Sequence, residues 1–288
     1  MNAVLAPVQT RSVAVGSRQI HLNEFGSGPV LLMLHGGGPG ASGLSNYSRN
    51  VQALAQHHRV LVPDLPGYGR SSKGVADDPF GDIAAAMLGL LDALDIARAH
   101  VMGNSLGGAV ALRMALDAPQ RVSRLVLMGP GGIGISLQPP TAGLKRLLGY
   151  YAGEGPTLDK LRAFICEDLV FDASRIGDDV LQERFAASIA PDLLANPPLR
   201  TPRDLEAFKR LDFLLHPRLD ALAHPTLVLW GTEDRVNPPS ARWPCRPGCR
   251  PATCTCSAAP AIGCSGSAPT SSTPWSPPSW PPTPEGQR

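Results

Sequence analysis

Apolar runs of strand length alternate with stretches of helical period along most of the chain. Residues 11–26 alternate apolar and polar positions through Ile20, Leu22 and Phe25 about a turn at Gly16 and Ser17, which predicts two short strands. Residues 29–34 (PVLLML), 60–64, the segment ahead of Gly103, 124–128 and 225–230 are short continuous apolar runs, the pattern of strands buried on both faces. Helices are predicted around 48–55 and over 83–96 (IAAAMLGLLDALDI). Another follows Ser105, where Leu106, Val110 and Met114 share a face and Pro119 marks the end. Strand and helix in this rhythm give an α/β fold with a doubly wound, mostly parallel sheet. Residues 135–217 break the rhythm. They are helical in pattern, are interrupted by prolines at 139–140, 197–198 and 202, and read as a helical lid inserted over the carboxyl edge of the sheet. The chain thus divides into a first core part (1–134), the lid (135–217), a core strand carrying Asp234 (218–239) and a last segment (240–288) that shows neither period.

Chemistry gathers where the strands end. Gly103-Asn104-Ser105-Leu106-Gly107 is a Gly-x-Ser-x-Gly turn between a strand and a helix. Such a turn is crowded, and side chains two residues to either side of the serine would collide, so both positions take glycine. The turn lifts the Ser105 hydroxyl off the sheet and leaves the Leu106 N–H facing a developing oxyanion. A glycine-rich loop, HGGGPG from His35, follows strand 29–34. It lacks the Gly-Lys-Ser/Thr ending of a phosphate loop, and Gly37 or Gly38 is expected to give a second N–H to an oxyanion hole. His35 reads as an orienter of this loop rather than a proton carrier. Asp234 lies just past strand 225–230 and after Ser105 in the chain, the Ser…Asp…His order, and is expected to hold and orient a base. Glu233 is the weaker candidate.

Composition narrows the partners. A formal net charge of +2 over 288 residues argues against nucleic acid or an anionic membrane surface. No apolar run approaches the length of a membrane span, and the first residues lack a basic start followed by a long apolar segment, so a cytoplasmic protein is expected. Five of the six cysteines follow Ser240, at 245, 249, 254, 256 and 264. No Cys-x-x-Cys pair or histidine accompanies them, so neither a metal centre nor a disulfide cluster is expected. Serine, histidine, aspartate and backbone N–H groups suffice for the chemistry without a cofactor.

Five motifs carry a resemblance: HGGGPGASGLSNYSRN from His35, DLPGYGRSS from Asp64, GNSLGG from Gly103, LVLMGPGG from Leu125 and WGTEDRVNP from Trp230. Together they resemble the α/β-hydrolase superfamily and, within it, the meta-cleavage product hydrolases of bacterial aromatic and steroid ring degradation. The likeness covers almost the whole chain to Pro239. It implies the α/β-hydrolase fold and a small-molecule substrate, a vinylogous 1,5-diketone with a carboxylate. Water cleaves a C–C bond in it, releasing a carboxylic acid and a 2-hydroxypentadienoate. By motif, the resemblance makes Ser105 the nucleophile, Asp234 the orienting acid, and the N–H groups of Gly37 and Leu106 the oxyanion hole. It also implies substrate contacts at Asn46, Asn104 and Arg184, a guanidinium pairing with the carboxylate and two amides binding the dienol oxygens. A homo-oligomer is in keeping with the resemblance. Two other readings stay open, a carboxylesterase on the same fold and a non-catalytic hydrolase-fold binding protein. Epoxide hydrolases and dehalogenases are disfavoured, because their nucleophile is Asp where this chain has Ser105.

The base is missing. The resembled family places it in a Gly-His-Trp motif beyond the last strand, whereas the last histidine here is His224, ahead of Asp234. His216 also precedes Asp234, and His57, His58 and His100 fall at helix ends or strand entries. Residues 240–288 are rich in Pro, Ser, Cys and Trp, a composition of disorder. The genetic code offers another reading. With each codon started at the third base of the one written, residues 260–268 permit Gly-His-Trp-Val-Gln-Trp-Glu-Arg and the next five permit Ala-Asp-Glu-Phe-Asn. Residues 252–257 permit Asp-Leu-His-Leu-Phe, a strand pattern. One base lost near codon 240 accounts for this, and the histidine then straddles codons 261 and 262. As it stands, the chain is expected to lack its final strand and helix, to expose a sheet edge, and to be poorly soluble and inactive.

Overall fold

The computed structural model describes residues 9–238 and the backbone of 253–257. Strands β1 (Gln9–Val15) and β2 (Arg18–Phe25) form a hairpin in register from Val15↔Arg18 outward. The rest of the sheet comprises β3 (Val30–Leu34), β4 (Arg59–Pro63), β5 (Ala99–Asn104), β6 (Val122–Met128), β7 (Thr226–Gly231) and β8 (Thr253–Ser257). Their order is β1-β2-β4-β3-β5-β6-β7-β8, with β1 and β2 antiparallel to their neighbours and the others parallel. The order reverses direction at β3, and a reversal of this kind opens a crevice at the carboxyl ends of the strands.

Strand β3 explains why its sequence is a continuous apolar run. Leu32 and Leu34 enter one core with Ile83, Met87, Val110 and Met114, while Leu31 and Met33 enter a second with Tyr47, Val51 and Val62. The first core is covered by α3 (Pro79–Ala93) and α4 (Leu106–Asp117). Helix α3 begins where Asp78 accepts the Gly81 N–H and Pro79 presets the first turn. The second core is covered by two short pieces, α1 (Gly43–Tyr47) and α2 (Val51–Leu54), instead of the single helix predicted at 48–55. The reason is local. Ser42 and Ser45 form a reciprocal capping box that starts the first piece early.

Between β6 and β7 lie α5 (Ala142–Leu148), α6 (Leu158–Ala163), a π-helical segment (Phe164–Leu169), α7 (Asp178–Ser188), α8 (Pro191–Ala195) and α9 (Leu205–Arg210). They bury a separate apolar cluster of Leu147, Tyr150, Leu161, Phe164, Ile165, Val170 and Leu181, joined by Val236 from beyond β7.

The expected loss of the final strand is corrected by β8. Thr253–Ser257 pairs with β7 from Leu227↔Thr253 to Gly231↔Ser257 and covers the edge that was expected to be bare. Alternating threonine and cysteine suits a strand, and the backbone groups along β7 offer it partners. The other reading frame places a strand at this same position. The final helix, the cysteines at 245, 249 and 264, and the positions that straddle the missing histidine lie outside the described residues. Among the described residues no helix is long and apolar enough to cross a membrane.

Candidate active site

Ser105 joins β5 to α4 with φ +51° and ψ −111°, a conformation non-glycine residues rarely adopt. The turn is clamped from β6: the Ser105 N–H donates to Met128 O (2.9 Å), and the Gly131 N–H donates to Ser105 O (3.0 Å). A Cβ on Gly103 would strike the Gly107 carbonyl, and one on Gly107 would strike the Leu34 carbonyl, which is why both flanking positions are glycine.

Leu106 is the first residue of α4, where an N–H has no intrahelical acceptor. The Gly37 N–H makes no hydrogen bond among the described residues. The two residues are neighbours, since a Cβ on Gly37 would lie 3.0 Å from Leu106 Cδ2. The loop carrying Gly37 is held by His35, whose Nδ1–H donates to Gly36 O (2.8 Å) while its Nε2 accepts the Leu65 N–H (2.9 Å). These partners assign the neutral tautomer, and burial pushes the imidazole pKa down against the pull of Asp64. His35 therefore orients the loop, as its sequence context suggested. The Tyr68 hydroxyl donates to Gly37 O (3.1 Å). Asp64, whose part in the site the sequence did not reveal, accepts from the Gly43 and Arg70 N–H groups and ties the loop to the DLPGYG turn.

A cavity of about 40 Å³ opens at Ser105. Gly36, Gly37, Gly38, Ala41, Asn46 and Asn104 line its sheet side, and Leu147, Phe164, Leu169, Arg184 and Val236 close it from above. Six residues singled out from sequence, Gly37, Gly38, Asn46, Asn104, Ser105 and Arg184, thus share one cavity. Asn46 Oδ1 accepts from the Gly36 N–H (3.0 Å) and from Asn104 Nδ2 (3.3 Å), which fixes the two amides beside Ser105. Arg184 donates from Nε to Pro39 O (2.9 Å) and forms no salt bridge among the described residues. Burial pushes its pKa down to about 10 against the pull of Glu183, so the guanidinium stays charged. Phe164 and Leu169 were not foreseen. They stand five apart in the π-helical segment, whose i→i+5 bonding brings both to one side.

Asp234 is 5% exposed. Its Oδ1 accepts the N–H groups of Val236 (2.9 Å) and Asn237 (2.8 Å), but its buried Oδ2 has no hydrogen-bond partner among the described residues. Burial pushes its pKa up to about 7, although the two backbone N–H bonds act the other way. Asn237 is fixed in turn by Trp230 Nε1, which donates to its carbonyl (2.7 Å). Glu233 is exposed. All seven histidines fall within the described residues, and none lines the cavity. His58 and His100 pack edge to face with ring centroids 6.1 Å apart, His224 Nε2 faces Pro119 O, and His216 lies beside Phe213. Among the described residues no group of three metal-ligating side chains forms.

Comparison with known proteins adds to this geometry. Residues 29–153 match the alpha/beta hydrolase fold family. The chain is similar to a 2-hydroxy-6-oxo-6-phenylhexa-2,4-dienoate hydrolase from Burkholderia cepacia, 43% identical over 226 residues and 76% of each chain. It is also similar to a 2-hydroxy-6-oxononadienedioate/2-hydroxy-6-oxononatrienedioate hydrolase from Paraburkholderia xenovorans (strain LB400), 44% identical over 229 residues and 77% of each chain. Among solved structures it matches a 2-hydroxy-6-oxo-6-phenylhexa-2,4-dienoate hydrolase from Rhodococcus sp. strain RHA1, with a TM-score of 0.68 and 28% identity, over 80% of this chain and 83% of that one.

Proposed function

The chain belongs to the alpha/beta hydrolase fold family and, within it, to the meta-cleavage product hydrolases, and from that premise we infer its reaction: hydrolysis of a C–C bond in a 2-hydroxy-6-oxohexa-2,4-dienoate produced by aromatic or steroid ring fission. The observation that carries the reading is a half-buried guanidinium without a carboxylate in salt-bridge contact among the described residues, sharing a small cavity with a strained serine and two fixed amides. Arg184 takes the substrate carboxylate, and Asn46 and Asn104 take the dienol oxygens. The ketone oxygen enters between the N–H groups of Gly37 and Leu106, where negative charge develops as a nucleophile, Ser105 or water, adds to the carbonyl carbon. When the C–C bond breaks, its electron pair goes to the dienol carbon as that carbon is protonated; if water was the nucleophile the acid departs at once, and if Ser105 was, a water then hydrolyses the Ser105 ester to release it. The substrate is larger than the present cavity, so α5–α9 act as a lid that gives way on binding.

The proton traffic needs a base, and Asp234 is set up to orient one. Its buried Oδ2, which has no partner among the described residues, supports this role, since it is free to accept an imidazole N–H. We propose that the histidine belongs to the frame restored by one base near codon 240, and that the chain as it stands retains the binding site without the turnover. The substrate is a soluble metabolite of the cytoplasm, and serine, histidine, aspartate and backbone donors meet the reaction's needs without a metal or organic cofactor. An assay of the restored protein on a ring-fission dienoate and on simple aryl esters tests the reading. Dienoate cleavage is expected to dominate. Turnover of aryl esters alone would make the protein a carboxylesterase.

A further inference from the structure

We infer that a second cavity, at the rim of the lid, is a cationic vestibule that holds the anionic substrate before it passes Leu199 to reach Ser105. This deepens the hydrolase reading and rests on it. The cavity measures about 590 Å³ and lies between residues 76–79 of the core and residues 198–211 of the lid. Its size falls within the roughly 300–1,000 Å³ of ordinary small-molecule sites. The cavity at Ser105, at about 40 Å³, has to open before a substrate enters.

Charged residues line the larger cavity, Arg200, Arg203 and Arg210 from the lid and Asp77 and Asp78 from the core. Two of them are engaged elsewhere. Asp78 caps α3 and pairs with Arg113 (2.8 Å), and Arg203 pairs with Asp204 (3.4 Å). Arg200 gives one N–H to the Val75 carbonyl (3.2 Å) and, like Arg210 and Asp77, forms no salt bridge among the described residues. Two guanidinium groups thus stand against one free carboxylate, and the balance favours an anion. Both arginines are exposed, so an anion reaches them before the lid moves. The planar fork of a guanidinium matches the carboxylate that the dienoate carries, and positive charge in a cleft speeds the arrival of such a ligand. Leu199 connects this cavity to the site. Its neighbours Pro198 and Arg200 line the vestibule, while its own side chain packs with both the core and the lid clusters. A Cβ on Gly37 would lie 2.8 Å from Leu199 Cδ1, and Gly37 lines the cavity at Ser105. Only apolar contacts hold this half-buried side chain, so turning it aside breaks no hydrogen bond.

Stopped-flow mixing of the chain as it stands with 2-hydroxy-6-oxo-6-phenylhexa-2,4-dienoate, following the absorbance of the dienoate, separates arrival from retention. Arg200→Gln combined with Arg210→Gln is expected to lower the association rate constant at least about threefold at low ionic strength and to leave dissociation unchanged. The difference should vanish in about 1 M salt, where charges are screened beyond about 3 Å. Asp77→Asn, which removes the free carboxylate, is expected to raise the association rate, and it supplies the test should the double variant fail to fold. Leu199→Ala is expected to speed association and dissociation together and leave Kd in place. Arg184→Gln, by contrast, should act on dissociation. Association unchanged in the arginine or Asp77 variants, faster dissociation in the arginine variant, or unchanged rates in Leu199→Ala would overturn the inference while leaving the hydrolase reading intact. Absence of dienoate binding by a chain that still melts cooperatively would overturn the hydrolase reading itself.

Discussion

Replacing Ser105 with glycine should make the protein more stable while removing its proposed nucleophile. Ser105 is one of two non-glycine residues at positive φ among the described residues, and its ψ of −111° takes it outside the common left-handed well. A residue held in such a conformation costs roughly 1–3 kcal/mol. Glycine removes the Cβ that causes the strain, but its freer unfolded chain takes back about 0.5–1 kcal/mol. The Ser105 hydroxyl makes no hydrogen bond among the described residues, so no lost contact enters the balance. The net expectation is a gain of about 1 kcal/mol, or an increase in Tm of roughly 2–4 °C for a domain of this size. Ser105→Ala is the control, because it removes the hydroxyl and keeps the Cβ. It should stay within about 0.5 kcal/mol of the parent. Urea titrations and thermal melts of the three proteins make the comparison. If glycine proved no more stable than alanine, backbone strain at the turn would not be a property of this fold.

Gly107→Ala should destabilise by more than about 3 kcal/mol, because its Cβ meets the Leu34 carbonyl, part of a buried strand that has nowhere to move. Soluble yield and urea midpoint would show it. His35→Ala should cost about 2–4 kcal/mol through a cavity and an unpaired Leu65 N–H, and should weaken dienoate binding by releasing the Gly37 loop. Because burial lowers the His35 pKa, the unfolded chain binds the extra proton first. Its contribution is therefore present above about pH 6.5 and is lost as pH falls below it. Asp234 works in the opposite sense. With a folded pKa of about 7 against 3.8, the folded state holds the extra proton between those values, so stability falls as pH rises through that window, by up to about 4 kcal/mol. Asp234→Asn should flatten that slope. Melts between pH 4 and pH 8 that were parallel in parent and variant would refute the assignment.

Much of the sheet could be read from the chain because buried parallel strands are written as unbroken apolar runs. β3 shows it, feeding two cores from alternate residues. Ser105 and its glycines were legible for a similar reason: the close approach of Gly107 to the Leu34 carbonyl leaves no other residue type. What was hidden depends on contacts between distant segments. Nothing local marks Asp64 as the acceptor of two loop N–H groups, and no 3.6-residue pattern announces a π-helical segment that turns Phe164 and Leu169 the same way. The helix predicted at 48–55 failed because a capping box at Ser42, outside the apolar pattern, set the start. Strand β8 was missed because its composition was judged with the whole tail, whereas five alternating residues sufficed to pair with β7.

The central claim is a complete binding site for a ring-fission dienoate with a triad that lacks only its base. The most direct test follows disappearance of 2-hydroxy-6-oxo-6-phenylhexa-2,4-dienoate with the chain as it stands and with the protein made after one base is restored near codon 240. The account predicts binding without turnover by the first, and release of benzoate and a 2-hydroxypentadienoate by the second, abolished by Ser105→Ala or Asp234→Ala. Comparable turnover by both proteins, or none by the restored one, would contradict it.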